Sequence, residues 1–180
     1  MKREIFQTIE IPEGVEVSIG ENLITVKGPE GEFSKKVNTN GLELKVENKE
    51  LKIGCTKSTK KEKKMINTIR ALVKNMIQGV SKRFEYKLKI CFAHFPITAE
   101  VQGHELIIKN FLGEKSNRKA DIPEGAEVKV DKEIITVSSV NKEVAGQAAA
   151  NIERATKIRK RDKRVFQDGI FMINKAGKEI

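Results

Sequence analysis

The chain contains 180 residues, with 38% apolar and 33% charged side chains and a formal net charge of +10. This apolar fraction is too high for a disordered chain, and no run approaches the roughly 18 apolar residues that a membrane-spanning helix requires. Residues 1–8 lack the apolar run of a signal peptide. Cys55 and Cys91 have no CxxC or histidine companion. We therefore expect a cytoplasmic protein whose two cysteines are buried and reduced.

The first half of the chain predicts short strands in pairs. Gly28-Pro29-Glu30-Gly31 interrupts one pair, and residues 47–50 form the turn of the next. Apolar side chains alternate with polar ones on both sides of that second turn, which predicts a buried face on each strand. The residues expected on these faces are Leu44, Val46, Leu51 and Ile53.

A helix is predicted from Thr59 to about Gly79. Thr59 and Glu62 have the spacing of a capping box, and a glycine is common near a helix end. Apolar residues at helical spacing predict that one face of this helix packs in the core. These residues are Met65, Ile66, Ile69, Val73, Met76, Ile77 and Val80.

A group of lysines surrounds the start of this helix. Cations at a helix N-terminus oppose the helix dipole, at a cost of a few tenths of a kcal/mol each. A bound phosphate group would relieve this conflict, and a solvated cluster is an equally good interpretation. The lysines are Lys57, Lys60, Lys61, Lys63 and Lys64.

An internal repeat relates the two halves of the chain. Residues 41–53 align without gaps with residues 125–137, and a helix follows each segment. The second copy opens with a strand at residues 84–92, and its helix begins near Asn141, a favourable N-cap residue, with an alanine-rich face. We therefore predict an α+β fold with two tandem copies of a small domain, each with antiparallel strands packed on one helix. The identical pairs are Gly41/Gly125, Glu43/Glu127, Lys45/Lys129 and Val46/Val130.

No pattern in the sequence indicates catalysis or a cofactor. His94 and His104 have no partner at the spacing of a metal site or a catalytic triad, and His104 is expected in an exposed turn. There is no glycine-rich phosphate-binding motif, and the acidic residue within Gly28–Gly31 repels phosphate. We predict that the protein is not an enzyme and takes no cofactor, metal or small-molecule substrate.

Positive charge is concentrated at the C-terminal end. Residues 154–180 carry nine basic and three acidic side chains, whereas residues 82–153 carry eleven of each. Cations beside aromatic residues are suited to RNA, since rings and guanidinium groups stack on bases and cations pair with phosphates. The apolar residues 165–173 favour a docked segment over a free tail. The predicted RNA contacts are Arg154, Lys157, Arg159, Lys160, Arg161, Lys163 and Arg164.

The predicted organisation is therefore a first α+β repeat at residues 1–81, a second at residues 82–158 and a basic RNA-binding tail at residues 159–180. Several motifs in this frame resemble those of the sixth large-subunit ribosomal protein family, in its archaeal and eukaryotic-cytosolic form. The similarity covers essentially the whole chain in order. Its motifs are Ile11–Val15, Leu23–Pro29, Ala93–Pro96, Asn110–Lys115 and Asp162–Ile170.

The resemblance implies a structural protein of the cytoplasmic ribosome that binds large-subunit ribosomal RNA. It places the protein near the base of the lateral stalk and the translation-factor site, with the stalk-base ribosomal proteins as neighbours. The second domain and the tail are expected to make the principal RNA contacts, with Gly169 allowing close backbone approach. A second candidate surface comprises Lys115, Asn117, Arg118 and Lys119.

An adaptor protein is the alternative prediction. In that case exposed sheet edges would pair with protein partners and the basic tail would be incidental. Protein isolated from cells distinguishes the two, because an RNA-binding protein shows a 260 nm excess that high salt or ribonuclease removes.

Overall fold

The chain divides into two structural units, Met1–Arg83 and Phe84–Ile180. The computed structural model describes residues 3–20, 22–39, 41–47, 49–162 and 164–180. Each unit contains antiparallel strands and one α-helix, which confirms the predicted α+β repeat. Over the described ranges, neither helix has the length and apolar character needed to cross a membrane.

The first unit contains two three-stranded antiparallel sheets, in the orders β1-β6-β5 and β2-β3-β4. Helix α1 contacts strands of both sheets, so its apolar face contributes to a shared core. The fully buried side chains include Ile24, Leu51, Ile53 and Ile66. The elements are β1 (Arg3–Glu10), β2 (Glu16–Ile19), β3 (Leu23–Gly28), β4 (Gly31–Lys36), β5 (Glu43–Glu47), β6 (Glu50–Ser58) and α1 (Lys60–Ser81).

The predicted capping box of α1 is present. The Thr59 side chain accepts a hydrogen bond from the Lys61 backbone N–H, and the Thr59 backbone N–H donates to Glu62 at 2.8 Å. The predicted apolar stripe is buried except for Met65, which is half-buried. The helix ends at Ser81, close to the end predicted near Gly79. The chain leaves it through the extended residue Lys82 and needs no left-handed glycine there.

The second unit repeats this arrangement and extends it. Its larger sheet has the order β11-β12-β7-β13-β14, and its smaller sheet has the order β10-β9-β8. A 3₁₀ turn at Phe111–Gly113 links β9 to β10. The elements are β7 (Phe84–Cys91), β8 (Thr98–Gln102), β9 (Glu105–Lys109), β10 (Arg118–Asp121), β11 (Glu127–Asp131), β12 (Ile134–Ser139), α2 (Lys142–Ala155), β13 (Gly169–Lys175) and β14 (Lys178–Glu179).

Helix α2 begins at the predicted N-cap. The Asn141 side chain accepts a hydrogen bond from the Glu143 backbone N–H at 2.9 Å. The buried face of α2 is formed largely by alanines, so the helix backbone approaches the sheet with little side-chain volume between them. Its buried residues are Ala145, Ala148, Ala149 and Ile152.

The C-terminal segment differs from the separate tail predicted at residues 159–180. Strand β13 pairs antiparallel with β7, and Ile170 is fully buried opposite Ile90. Because β7 has two edges and β12 covers only one, the apolar residues after the cations complete the sheet. The docking expected of this segment is therefore found within the second unit, and the boundary predicted after residue 158 is not a domain boundary.

Some smaller differences concern exposure. Leu44 is half-buried and Val46 is 44% exposed, although both were predicted on a buried face, because β5 is an edge strand. Cys55 and Cys91 are free thiols, but they are half-buried. The turn predicted at residues 47–50 includes Asn48, which lies outside the described residues. His104 is exposed in the turn between β8 and β9, as predicted.

Candidate nucleic-acid interface

The connection between α2 and β13 carries a row of exposed cations on the second unit. Arg154 occupies the last turn of α2, and the others follow the end of the helix. Lys163, also a predicted RNA contact, lies outside the described residues. We call the exposed side chains here the basic segment, which comprises Arg154, Lys157, Arg159, Lys160, Arg161 and Arg164.

Most charges of the basic segment have no acidic partner in the described part of the chain. Arg164 forms a salt bridge with Asp162 at 2.8 Å, and its hydrogen bonds lower the pKa of that carboxyl. The Arg161 guanidinium lies over the Phe166 ring, 4.8 Å from its centroid. The other four cations form no salt bridge with described residues and are available to phosphate oxygens.

A stack of three side chains positions the end of this segment. The His94 and Phe166 rings are 5.0 Å apart with an interplanar angle of 24°, and Arg161 covers Phe166. His94 lies in the loop after β7, whereas Arg161 and Phe166 lie before β13. The stack therefore attaches the cationic connection to the loop beside it, which reduces the entropy lost when the cations bind a ligand.

A buried carboxylate, Asp168, lies beneath this stack. Its side chain is inaccessible to solvent and accepts hydrogen bonds from the Ala93 backbone N–H at 3.0 Å and the His94 backbone N–H at 3.3 Å. His94 Nδ1 is 3.1 Å from the carboxylate. Burial acts to raise the pKa of Asp168, but these hydrogen bonds outweigh it and lower the pKa below its usual range. Asp168 is therefore ionised at neutral pH and fixes the loop after β7.

A groove of about 820 Å³ adjoins the basic segment. Arg154 and Lys157 line it together with Phe92 and Phe171, which are 42% and 44% exposed. Aromatic rings beside cations can stack on unpaired bases while the cations contact the backbone phosphates. The groove thus combines the two kinds of contact that single-stranded RNA uses.

The second predicted surface, at residues 115–119, is only partly free. Lys115 and Asn117 are exposed. Lys119 is exposed and forms a salt bridge with Glu105 at 2.8 Å. Arg118, by contrast, points into the unit. Of the cations predicted here, Lys115 and Lys119 therefore remain accessible to RNA.

Arg118 is an internal clamp. It donates two hydrogen bonds to Glu114, at 2.8 and 2.6 Å, and one to the Ala155 carbonyl at 2.9 Å. Its guanidinium also lies 4.2 Å from the centroid of the Phe111 ring. The paired guanidinium lowers the pKa of Glu114. Arg118 thus joins the loop before β10 to the C-terminal end of α2, where carbonyl groups need donors.

Gly169 is also internal. The glycine is buried, and a Cβ atom there would lie 3.1 Å from the Phe171 ring. Its missing side chain accommodates this ring and the neighbouring Thr156, whose hydroxyl accepts a hydrogen bond from the Ile170 N–H at 2.9 Å. The missing side chain at Gly169 therefore permits close packing within the protein.

Replacing Arg118 with lysine tests the clamp. Lysine keeps the charge but loses the bidentate geometry, so we expect the unfolding free energy to fall by about 1–3 kcal/mol. RNA affinity under conditions where the variant is folded should stay unchanged. Urea unfolding measures the first effect and RNA titration the second. The matched change Lys129→Arg, at an exposed position of β11, should leave both unchanged. A loss of RNA affinity without a loss of stability would show that Arg118 contacts RNA directly.

The pair of His94 and Asp168 was missed by the sequence analysis. The two residues are 74 positions apart, so no local spacing connects them. Each does lie within a motif of the family resemblance, Ala93–Pro96 and Asp162–Ile170. The sequence signal that could have identified Asp168 is an acidic residue at the start of an apolar run, residues 170–173, that is expected to form a buried strand.

Comparisons with known proteins agree with this organisation. The family described as "Ribosomal protein L6" matches residues 11–83 and 95–169, one segment in each structural unit. The chain belongs to this family. Membership confirms the family resemblance that the motifs indicated. It identifies the chain as a structural protein and not an enzyme.

Curated relatives resemble the chain over nearly its whole length. Large ribosomal subunit protein uL6 of Methanosarcina mazei is 46% identical over 176 residues, covering 98% of this chain and all of the relative. The proteins of the same name from Methanococcus vannielii and Methanobrevibacter smithii are 45% and 47% identical, with 97% and 95% of this chain and 96% of each relative covered.

Proposed function

We propose that the chain is a structural constituent of the large ribosomal subunit and binds large-subunit ribosomal RNA mainly through its second unit. The main support for this proposal is the basic segment. Four of its six described cations have no salt-bridge or ring partner among the described residues, and two of these four, Arg154 and Lys157, line the groove. Unneutralised cations in one place are costly for a protein alone and favourable beside phosphate groups.

The proposed contacts are of two kinds. Arg154, Lys157, Arg159 and Lys160 contact phosphate oxygens, while Phe92 and Phe171 are placed to stack on unpaired bases. The Arg161–Phe166–His94 stack holds the cations ready for binding. Lys115, Asn117 and Lys119 form a second, smaller contact surface. Arg118 and Gly169 act within the protein and position these groups without touching RNA.

The proposed location is the region of the translation-factor site and the stalk base. Family membership supports a place in the large subunit of the cytoplasmic ribosome, and the names of the relatives point the same way. The position at the stalk base, with its ribosomal proteins as neighbours, is what the family resemblance implies.

Sedimentation of cell extracts tests the assignment. The chain is expected to travel with the large subunit, and the free protein recovered from lysates is expected to carry a 260 nm excess that ribonuclease removes. Washing subunits in increasing salt should release the chain progressively. A chain that sediments apart from the subunit and shows no nucleic-acid absorbance would contradict the proposal and favour the adaptor.

A further inference from the structure

The internal repeat exposes a difference between the two larger sheets. In the second unit, β7 is paired on both edges, with β12 on one side and β13 on the other. In the first unit, the corresponding strand β1 pairs with β6, and no described strand pairs with its other edge. The second unit thus shows that this fold accepts an additional antiparallel strand at this edge. In the first unit no described strand occupies the equivalent position beside β1.

The correspondence between β1 and β7 is residue by residue. Ile11 donates its backbone N–H to the Lys49 carbonyl at 2.8 Å, and Ile90 donates to the Glu133 carbonyl at 2.7 Å. Lys49 and Glu133 lie in the turns of the equivalent hairpins β5–β6 and β11–β12, so Ile11 corresponds to Ile90. Since N–H groups alternate in direction along a strand, those of Thr8 and Glu10 point away from β6. Their equivalents in β7 are the groups that face β13.

Apolar side chains of β1 are slightly less buried than their equivalents in β7. Ile9 and Ile11 are 9% and 8% exposed, whereas the equivalent Leu88 and Ile90 are 0% and 2% exposed. Phe6 is 43% exposed on the outer face of β1. Gln7 Oε1 is buried and accepts no hydrogen bond from the described residues. An added strand would cover these groups and bring backbone donors near them.

We propose that the free edge of β1 binds an extended segment of a neighbouring protein as an added antiparallel strand. The segment occupies the position that β13 occupies in the second unit. Strand addition gives affinity through backbone hydrogen bonds and specificity through alternate side chains. The outer face of β1 carries Glu4, Phe6 and Glu10, so the segment presents basic and apolar side chains on that face. Strand addition at β1 rests on the proposed function only in that the large subunit is where the neighbouring protein is sought.

Site-specific photo-cross-linking in isolated large subunits tests this pairing. The full chain is produced in cells with p-benzoylphenylalanine in place of Phe6 or of Glu10, and subunits that contain it are irradiated. Both positions should link to one protein segment. Because the strands are antiparallel, the site linked from position 6 should lie about four residues C-terminal to the site linked from position 10. A probe at Lys45, on the opposite edge of the same sheet, should not link to that segment.

Two variants of Thr8 separate backbone pairing from side-chain contact. Thr8→Pro removes an outward N–H and spares the ladder to β6, so the cross-link from position 6 should be lost. Thr8→Ala keeps the N–H and should retain it. Thermal unfolding checks that both variants fold. Cross-links to RNA only, links without this spacing, or equal yields from the two folded variants would overturn the inference. Failure of the chain to enter subunits at all counts instead against the proposed function.

Discussion

Replacing Lys157, Arg159 and Lys160 together with glutamine is expected to weaken binding to large-subunit ribosomal RNA by about 100-fold near 0.1 M salt. The reason is electrostatic. Each cation that neutralises a phosphate releases condensed counterions, so three lost contacts should also reduce the slope of log affinity against log salt by about 2–3. Glutamine removes the charge but keeps a polar end that can donate hydrogen bonds, and all three residues are exposed.

Electrophoretic or fluorescence titration at four or more salt concentrations measures both quantities. The matched control replaces Lys87, Lys129 and Lys132 with glutamine, which removes the same charge from exposed positions in and beside β7 and β11. The control should keep nearly all of its affinity. Equal losses in the two variants would mean that net charge alone attracts the RNA and that the basic segment is not the binding surface.

Replacing Asp168 with alanine should reduce the unfolding free energy of the protein by about 2–4 kcal/mol, the largest stability effect that we expect from a single polar residue here. The carboxylate is fully buried and serves the backbone N–H groups of Ala93 and His94 together with the His94 ring. Its removal takes away the carboxylate that accepts hydrogen bonds from these part-buried donors. The stack of His94 on Phe166 should loosen with it, and the basic segment should become more mobile.

The stability of the wild-type protein should also depend on pH through Asp168. Its pKa is lower in the folded state than its usual 3.8, so its contribution is fully present above that value. The contribution is lost as the pH falls through the folded-state pKa. The difference in unfolding free energy between wild type and Asp168→Ala should therefore shrink in acid.

Urea unfolding at neutral and acidic pH measures this difference. Asp131→Ala, at an exposed position of β11, is the control and should change stability by less than about 0.5 kcal/mol. A difference between wild type and Asp168→Ala that stays constant at every pH would contradict the role of an ionised, buried Asp168.

The helices and most strands could be predicted because their signals are local. The Thr59–Glu62 capping box, the Asn141 N-cap and the alternation on both sides of the β5–β6 turn each lie within a few residues. The offset of 84 residues between the copies also requires no knowledge of tertiary structure. In these places the hydrophobic pattern and the chain geometry agree.

The details of the candidate site depended on contacts between distant residues. Arginine is a residue type that often contacts RNA. Only the position of Arg118 beside Glu114 and the end of α2 shows that it joins two parts of the protein. At Gly169 the space of the missing side chain is bounded by the nearby Phe171 ring and also by Thr156, which precedes it by 13 residues. The sequence predicted that the apolar residues after the cations dock, but not that they pair with β7, since strand pairing across about 80 residues leaves no local pattern.

The most direct test of the central claim is a comparison of two RNAs. The full-length protein is titrated with large-subunit ribosomal RNA and with an unrelated structured RNA of equal length, each at several salt concentrations. We predict tighter binding to the ribosomal RNA, with a preference that persists as salt weakens the nonspecific phosphate contacts common to both. Equal affinity for the two RNAs at every salt concentration would contradict the proposal that this protein is built to bind the RNA of the large subunit.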